Sequence, residues 1–284
     1  MAAAIAAAII YGAAYPATAV ALRSFSPLAV AGLSCTLALA VVIGLAAASI
    51  LPRPAIAAMS GPRLARLVIL ALLGGVLFIT GINLAVAIAG PTITGFVAPL
   101  YAIFGTLFAV PLLGETVRST TLAAFGLAMV GTAMLAGAVP AGAPLLVLAR
   151  RWSVRYELDG TLVTIANLIG RGPVLVVAAV LLDQRPLIPA DPDPAAVVAI
   201  LTLVFGSSTS GNLLLMAAVR RVSAGRASGA LLLTPVASAV IAAVVLGDRL
   251  TPLGLVGATC ILVGMAVASG LLSGRLVSRP TSPR

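Results

Sequence analysis

Arg171 stands alone in an apolar setting, in the stretch NLIGRGPVL, about midway between Asp159 and Asp183, with Gly170, Gly172 and Pro173 beside it. A guanidinium at such a depth presents forked donors suited to a carboxylate. Ionisable groups inside a membrane are costly and gather at substrate pathways. Two roles are open for Arg171. One is a cation facing a central cavity, set to meet a substrate carboxylate. The other is structural, an Arg that snorkels to the interface or bonds a carbonyl freed where Gly-Pro breaks the helix. Tyr11, Tyr15 and Tyr101 also fall within apolar runs. Their rings suit an apolar or aromatic substrate while their hydroxyls offer a hydrogen bond; an interface-belt or packing role is the other reading. Asn83, Asn167, Asn212 and the run GSSTSGN at 206–212, which contains Ser210, add hydrogen-bonding groups. Single Ser and Thr residues in such helices mostly bond their own backbone, so the cluster before Asn212 is the more telling feature.

Other chemistries lack their residues. The chain has no His, and all seventeen basic residues are Arg. The commonest general base and metal ligand is therefore missing. None of the seven acids falls inside an apolar run, so no carboxylate relay is buried there. Cys35 and Cys260 lie within apolar runs and read as free thiols acting as small hydrophobes. Phosphate-loop, metal-ligand and nucleotide-binding patterns are absent, so no cofactor is expected. The expected partners are a small-molecule substrate and the lipid bilayer, with no nucleic acid, and the chain is read as a monomer.

The elements that position these groups follow from composition. Of 284 residues, 61% are hydrophobic and only 8% are charged, against about 25% charged in a soluble domain. A bilayer core needs about 20 apolar residues per helix. Nine such spans are legible, at 2–22, 28–51, 65–88, 92–113, 119–138, 160–182, 195–219, 227–247 and 252–272. The first has no positive n-region and is long for a signal peptide, so it reads as a retained helix. The net charge of +10 sits in short Arg-bearing loops, which the positive-inside rule assigns to the cytoplasm together with both termini. Nine spans would put Arg150, Arg151 and Arg155 outside. A tenth crossing at 138–149, AVPAGAPLLVLA, restores the alternation, although its twelve residues make about 18 Å of helix. The expectation is ten helices with the sixth short or abnormal.

A repeat runs through these spans. VPLLGETVRST is echoed by VVLGDRLTPLG: Pro99 answers Pro235, Gly114–Glu115 answers Gly247–Asp248, Gly131 answers Gly264 and Gly137 answers Gly270. Asn83 has a weaker counterpart in Asn212. Five spans per copy is an odd number, so the second copy is inverted, as in secondary transporters that alternate access around a midplane site. The repeats are expected at 1–137 and 138–284. The Gly-acid pairs read as helix ends, the acid favoured near the next helix N-terminus. Gly126, Gly131, Gly257 and Gly264 read as sites of close helix approach. Pro16, Pro99 and Pro235 read as hinges or packing points.

IIYGAAYPATAVALRSFSPLAVAGL near the start, the duplicated Pro, Gly-acid and Gly pattern, and ARRW at 149–152 together resemble the drug/metabolite transporter superfamily, EamA type. RRW after a sixth helix is similar to the YddG-type aromatic-amino-acid exporter branch. The resemblance covers about residues 8–272. It implies an all-α membrane protein of ten helices in two inverted five-helix repeats, exporting amino acids or related metabolites across a bacterial inner membrane. Three positions depart from it. Tyr11–Gly12 stands where Trp-Gly is usual, the second helix reads GLSCT, with Ser34, where an Arg is common, and the sixth helix is cut short. Two alternatives remain: a lipid or lipid-linked metabolite flippase of the same superfamily, and, with less support, an intramembrane enzyme, which would need His, an acid or an activated Ser or Cys in the membrane.

Overall fold

The computed structural model describes residues 2–48, 50, 75–100, 119–136, 160–183, 185–221, 231 and 233–268. Every regular element among them is helical. In chain order they are α1 (Ala2–Ala21), α2 (Pro27–Ala47), α3 (Leu77–Ala89), α4 (Pro91–Val97) leading into a 3-10 turn at Ala98–Leu100, and α5 (Ser119–Ala136). There follow α6 (Gly160–Leu182), α7 (Pro194–Thr202), a π-helical stretch Leu203–Gly211, α8 (Asn212–Arg221), α9 (Leu233–Leu246) and α10 (Pro252–Ala268). The spans expected at 2–22, 28–51, 119–138, 160–182, 195–219 and 252–272 all fall on these helices, with ends shifted by a few residues. The short crossing expected at 138–149 lies outside the described residues, as do Tyr101 and the Gly114–Glu115 pair.

Helix ends follow local chemistry. Ser26 precedes Pro27, and its Oγ accepts the Ala29 N–H at 3.0 Å. Asp193 precedes Pro194, and its Oδ1 accepts the Ala195 N–H at 2.9 Å. Thr251 precedes Pro252, and its Oγ1 accepts the Gly254 N–H at 3.0 Å. In each case a cap side chain satisfies a free N–H, and proline supplies a first-turn φ without needing a donor. Gly90 alone separates α3 from α4, at φ +83°, and Gly247 ends α9 at φ +70°. Asp248 then donates its N–H back to the Ala242 carbonyl at 3.3 Å. Gly247–Asp248 is thus the helix stop that its sequence suggested.

Three described helices are long and apolar enough to cross a membrane: Ala2–Ala21, Pro27–Ala47 and Pro194–Leu215, the last running through the π-helical stretch. Shorter apolar helices accompany them. Outward-facing Ile88, Val180, Leu181, Val198 and Val244 are each more than half exposed. A water-facing surface of that kind would be unstable, whereas hydrocarbon suits it. Inside, one apolar cluster joins α1, α2, α6, α7 and the π-helical stretch around Val30, Val42, Leu168 and Val204. A second joins α4, α5 and α10 around Phe96, Leu100, Leu135 and Ile261.

Small residues decide how the helices meet. A methyl group on Gly131 of α5 would lie 2.5 Å from the Gly257 carbonyl oxygen of α10, and one on Gly264 would lie 2.7 Å from that of Ala124. Numbers rise along one helix as they fall along the other, so α5 and α10 cross antiparallel. The same reciprocity holds between α2 and α6, where Gly32 abuts the Val176 backbone and Gly172 abuts Thr36. Gly126 does not belong to this set: among the described residues nothing lies within 4 Å of where its Cβ would be, and it sits on an exposed face. Its expected role in close approach is corrected. Pro16 is buried within α1, Pro235 is buried near the start of α9, and Pro99 is buried in the 3-10 turn after α4.

Candidate functional site

α1 lies against α9, the π-helical stretch, α7 and α8. On that face the Tyr11 hydroxyl donates to Asn212 Oδ1 at 2.8 Å, joining residues 201 apart in sequence. Asn212 Nδ2 in turn donates to the Ser208 carbonyl at 2.9 Å. The amide is thereby fixed at both ends. Gly211 admits the tyrosine ring: a methyl group there would come 3.2 Å from its edge. The π-helical register arises in LVFGSSTSG, where Gly and Ser contribute little helix propensity and hydroxyls compete for carbonyls. Ser207 Oγ donates to the Leu203 carbonyl at 3.3 Å and Ser210 Oγ to that of Phe205, five residues back, at 2.6 Å. π-helical turns recur at functional sites because they shift the side chains that follow.

Tyr15 lies one turn beyond Tyr11 and is 9% exposed. Its ring faces Gly95 of α4, where a methyl group would stand 3.7 Å away. Ser238 of α9 donates to the Pro91 carbonyl at 3.3 Å, which ties α9 to α4.

Arg171 is the middle residue of α6, eleven residues from either end of Gly160–Leu182, or about 16 Å of helix rise. Its aliphatic stem runs past Gly75, where a methyl group would lie 3.0 Å from Cδ. Its Nε is buried and has no hydrogen-bond partner. Thr36 Oγ1 on α2 and Thr80 Oγ1 on α3 are likewise buried without a partner, and Thr36 Oγ1 would lie 2.9 Å from a methyl group on Gly172, the residue next to Arg171. An unpaired buried donor or acceptor costs about 1–3 kcal/mol, more for a charged group.

The structure therefore brings Tyr11 and Asn212 together and sets Arg171 beside Gly75, with Thr36 next to Gly172. Asn83, 2% exposed, donates Nδ2 to the Pro27 carbonyl at 3.1 Å and ties α3 to the start of α2. Ser210 bonds its own backbone. Asn167 falls on α6, but its side chain, like Tyr101, lies outside the described residues. Thr36 and Thr80 were missed by sequence reasoning. Thr94, Thr132, Thr202 and Thr259 each bond the carbonyl four residues back, at 2.8, 2.8, 2.9 and 2.8 Å. Nothing in the residue type separates the two groups; only packing does. Among the described residues, no cluster of three or more His, Cys, Asp or Glu could hold a metal ion.

A family model described as the EamA-like transporter family matches residues 1–137 and 145–270. A solved crystal structure is similar at a TM-score of 0.67, over 97% of this chain and 98% of that one, with 20% sequence identity. Identity at that level speaks for the fold alone. No curated protein matches.

Proposed function

Because this chain belongs to the EamA-like transporter family, matched over most of its length, we propose that it exports neutral, aromatic or hydrophobic amino acids and related metabolites. It is a helical membrane protein of a family that carries small molecules across membranes and whose members are transporters rather than enzymes. One observation carries the assignment of amino acids as substrate. Arg171, at the centre of α6, keeps a buried Nε without a partner, and the hydroxyls of Thr36 and Thr80 are equally unpartnered. A carboxylate bound beside Arg171 would accept from the guanidinium, offsetting the cost of holding that charge in the membrane.

Alternating access between two inverted repeats, 1–137 and 138–284, is the mechanism we propose. Two separate stretches of family match support the division. So do the reciprocal antiparallel contacts, since Gly32 on Val176 and Gly172 on Thr36 are what a twofold relating α2 to α6 would produce. The same reasoning applies to Gly131 and Gly264, the pair matched by sequence. Ten crossings, a bacterial inner membrane and cytoplasmic termini complete the reading, with the Arg-rich loops as support. Since no acid falls within a span, facilitated exchange suits the residues better than proton coupling.

The test is counterflow of radiolabelled phenylalanine or leucine in proteoliposomes, with and without a pH gradient, comparing wild type with Arg171→Ala and Arg171→Lys. Saturable flux is expected, lost in Arg171→Ala and reduced in Arg171→Lys, which keeps the charge without the fork. Absence of amino-acid flux from folded protein, with movement of a phosphate-bearing lipid instead, would replace this reading with a flippase.

A further inference from the structure

A cavity of about 360 Å³ opens at the end of the bundle where the α3–α4 turn and the α9–α10 turn meet the last residues of α5. Ligand pockets begin at roughly 300 Å³. Neither Arg171 nor the Tyr11–Asn212 pair lines it. Its polar lining comes from three groups with distinct capacities. Thr92 is 3% exposed, and its Oγ1 has no hydrogen-bond partner. Asp248 supplies a carboxylate and Arg249 a guanidinium. Thr251 also borders the cavity, but its hydroxyl is engaged as the α10 cap. Ile93, Leu135 and Leu246 provide apolar wall.

We propose that this cavity is a second small-molecule site, separate from Arg171, which takes a zwitterion bearing an apolar group. Its carboxylate pairs with Arg249 and the Thr92 hydroxyl, its ammonium with Asp248, and its apolar part with the leucine and isoleucine wall. One polar group of each required kind is present: a cation, an anion and an unspent hydroxyl. A purely anionic ligand would meet the Asp248 carboxylate, and a purely cationic one the Arg249 guanidinium, so the lining favours a molecule with both charges. Backbone geometry holds the opposing charges at the rim. Gly247 ends α9 at φ +70°, and Asp248 and Arg249 follow in the turn before α10. The choice of an amino acid as ligand rests on the transport reading above; the existence of a second site does not.

Equilibrium dialysis of radiolabelled leucine against the full chain in detergent separates the two. Wild type is expected to bind two molecules per chain. Arg249→Ala and Thr92→Val are each expected to weaken one of them at least tenfold while Arg171→Ala leaves that one in place. Arg249→Lys restores part of the binding, and unchanged helicity by circular dichroism shows that each variant is folded. A single leucine per chain, insensitive to Arg249→Ala and Thr92→Val, would overturn the second site while leaving the Arg171 reading intact. A single leucine lost in Arg249→Ala but kept in Arg171→Ala would support the cavity and count against Arg171. No leucine bound by folded protein overturns the zwitterion assignment, and counterflow then decides the transport reading separately.

Discussion

Gly126 and Gly131 lie five residues apart on α5 and look alike in sequence, yet alanine should have opposite effects at the two. At Gly131 the new methyl would stand 2.5 Å from the Gly257 carbonyl oxygen, 2.9 Å from Cys260 Cβ and 2.9 Å from the Ile261 nitrogen. Ordinary contact begins at 3.4 Å, so α5 and α10 must part by the 0.9 Å between 2.5 and 3.4 Å. Two of the three obstacles are backbone atoms and cannot rotate away. A gap of about 0.5–1 Å forfeits a quarter to a half of each dispersion contact. In a bilayer, association of helices depends on that packing rather than on a hydrophobic drive. Overpacking of this kind costs about 1–3 kcal/mol, and we expect about 2 kcal/mol for Gly131→Ala. At Gly126 no described residue lies within 4 Å, so alanine adds helix propensity alone, a gain of about 0.5–1 kcal/mol. Thermal unfolding in detergent, followed by far-ultraviolet circular dichroism, should show a lower midpoint for Gly131→Ala and a higher one for Gly126→Ala. Gly264→Ala, facing the Ala124 carbonyl at 2.7 Å, should behave like Gly131→Ala. A shift of the same sign at Gly126 and Gly131 would refute the close crossing of α5 and α10.

Tyr11→Phe and Asn212→Leu each remove one side of the 2.8 Å hydrogen bond; a double-mutant cycle on counterflow rate should return a coupling of about 1 kcal/mol, and additive effects would dissolve the pair. Ser26→Ala removes both the cap on α2 and the hydrogen bond that Ser26 Oγ donates to Asp183 Oδ2. The midpoint of thermal unfolding should fall, by the equivalent of about 1–2 kcal/mol for the cap, whereas Ser26→Thr should retain most of the stability.

Much of the fold was legible because the relevant energies are local. Whether a segment prefers hydrocarbon depends on its own side chains, so the spans at 28–51 and 160–182 could be read without knowing their neighbours. Caps are equally local, but hydropathy alone did not single out Ser26–Pro27, Asp193–Pro194 and Thr251–Pro252, which start three helices in the structure. The candidate site was legible in part. Arg171 drew notice as a lone charge in an apolar run, and Tyr11 and Asn212 were both named, but their bond across 201 residues was not. Ser210 was named for its hydroxyl and spends it on the Phe205 carbonyl, since the π-helical register brings that oxygen within 2.6 Å.

By itself, then, the sequence determined that this is a membrane protein of apolar helices, that one of them stops at Gly247–Asp248, and that a pattern of Pro, Gly and acid recurs along it. Tertiary structure alone decided which glycine is a contact and which is open, which threonines spend their hydroxyls on a carbonyl and which keep them, and that the turns at Gly90 and Gly247 enclose a cavity. The physical reason is that transfer free energy and capping are properties of a segment. Close approach, satisfaction of a buried polar atom and the shape of a void belong to pairs of segments, and they exist only once the helices have met.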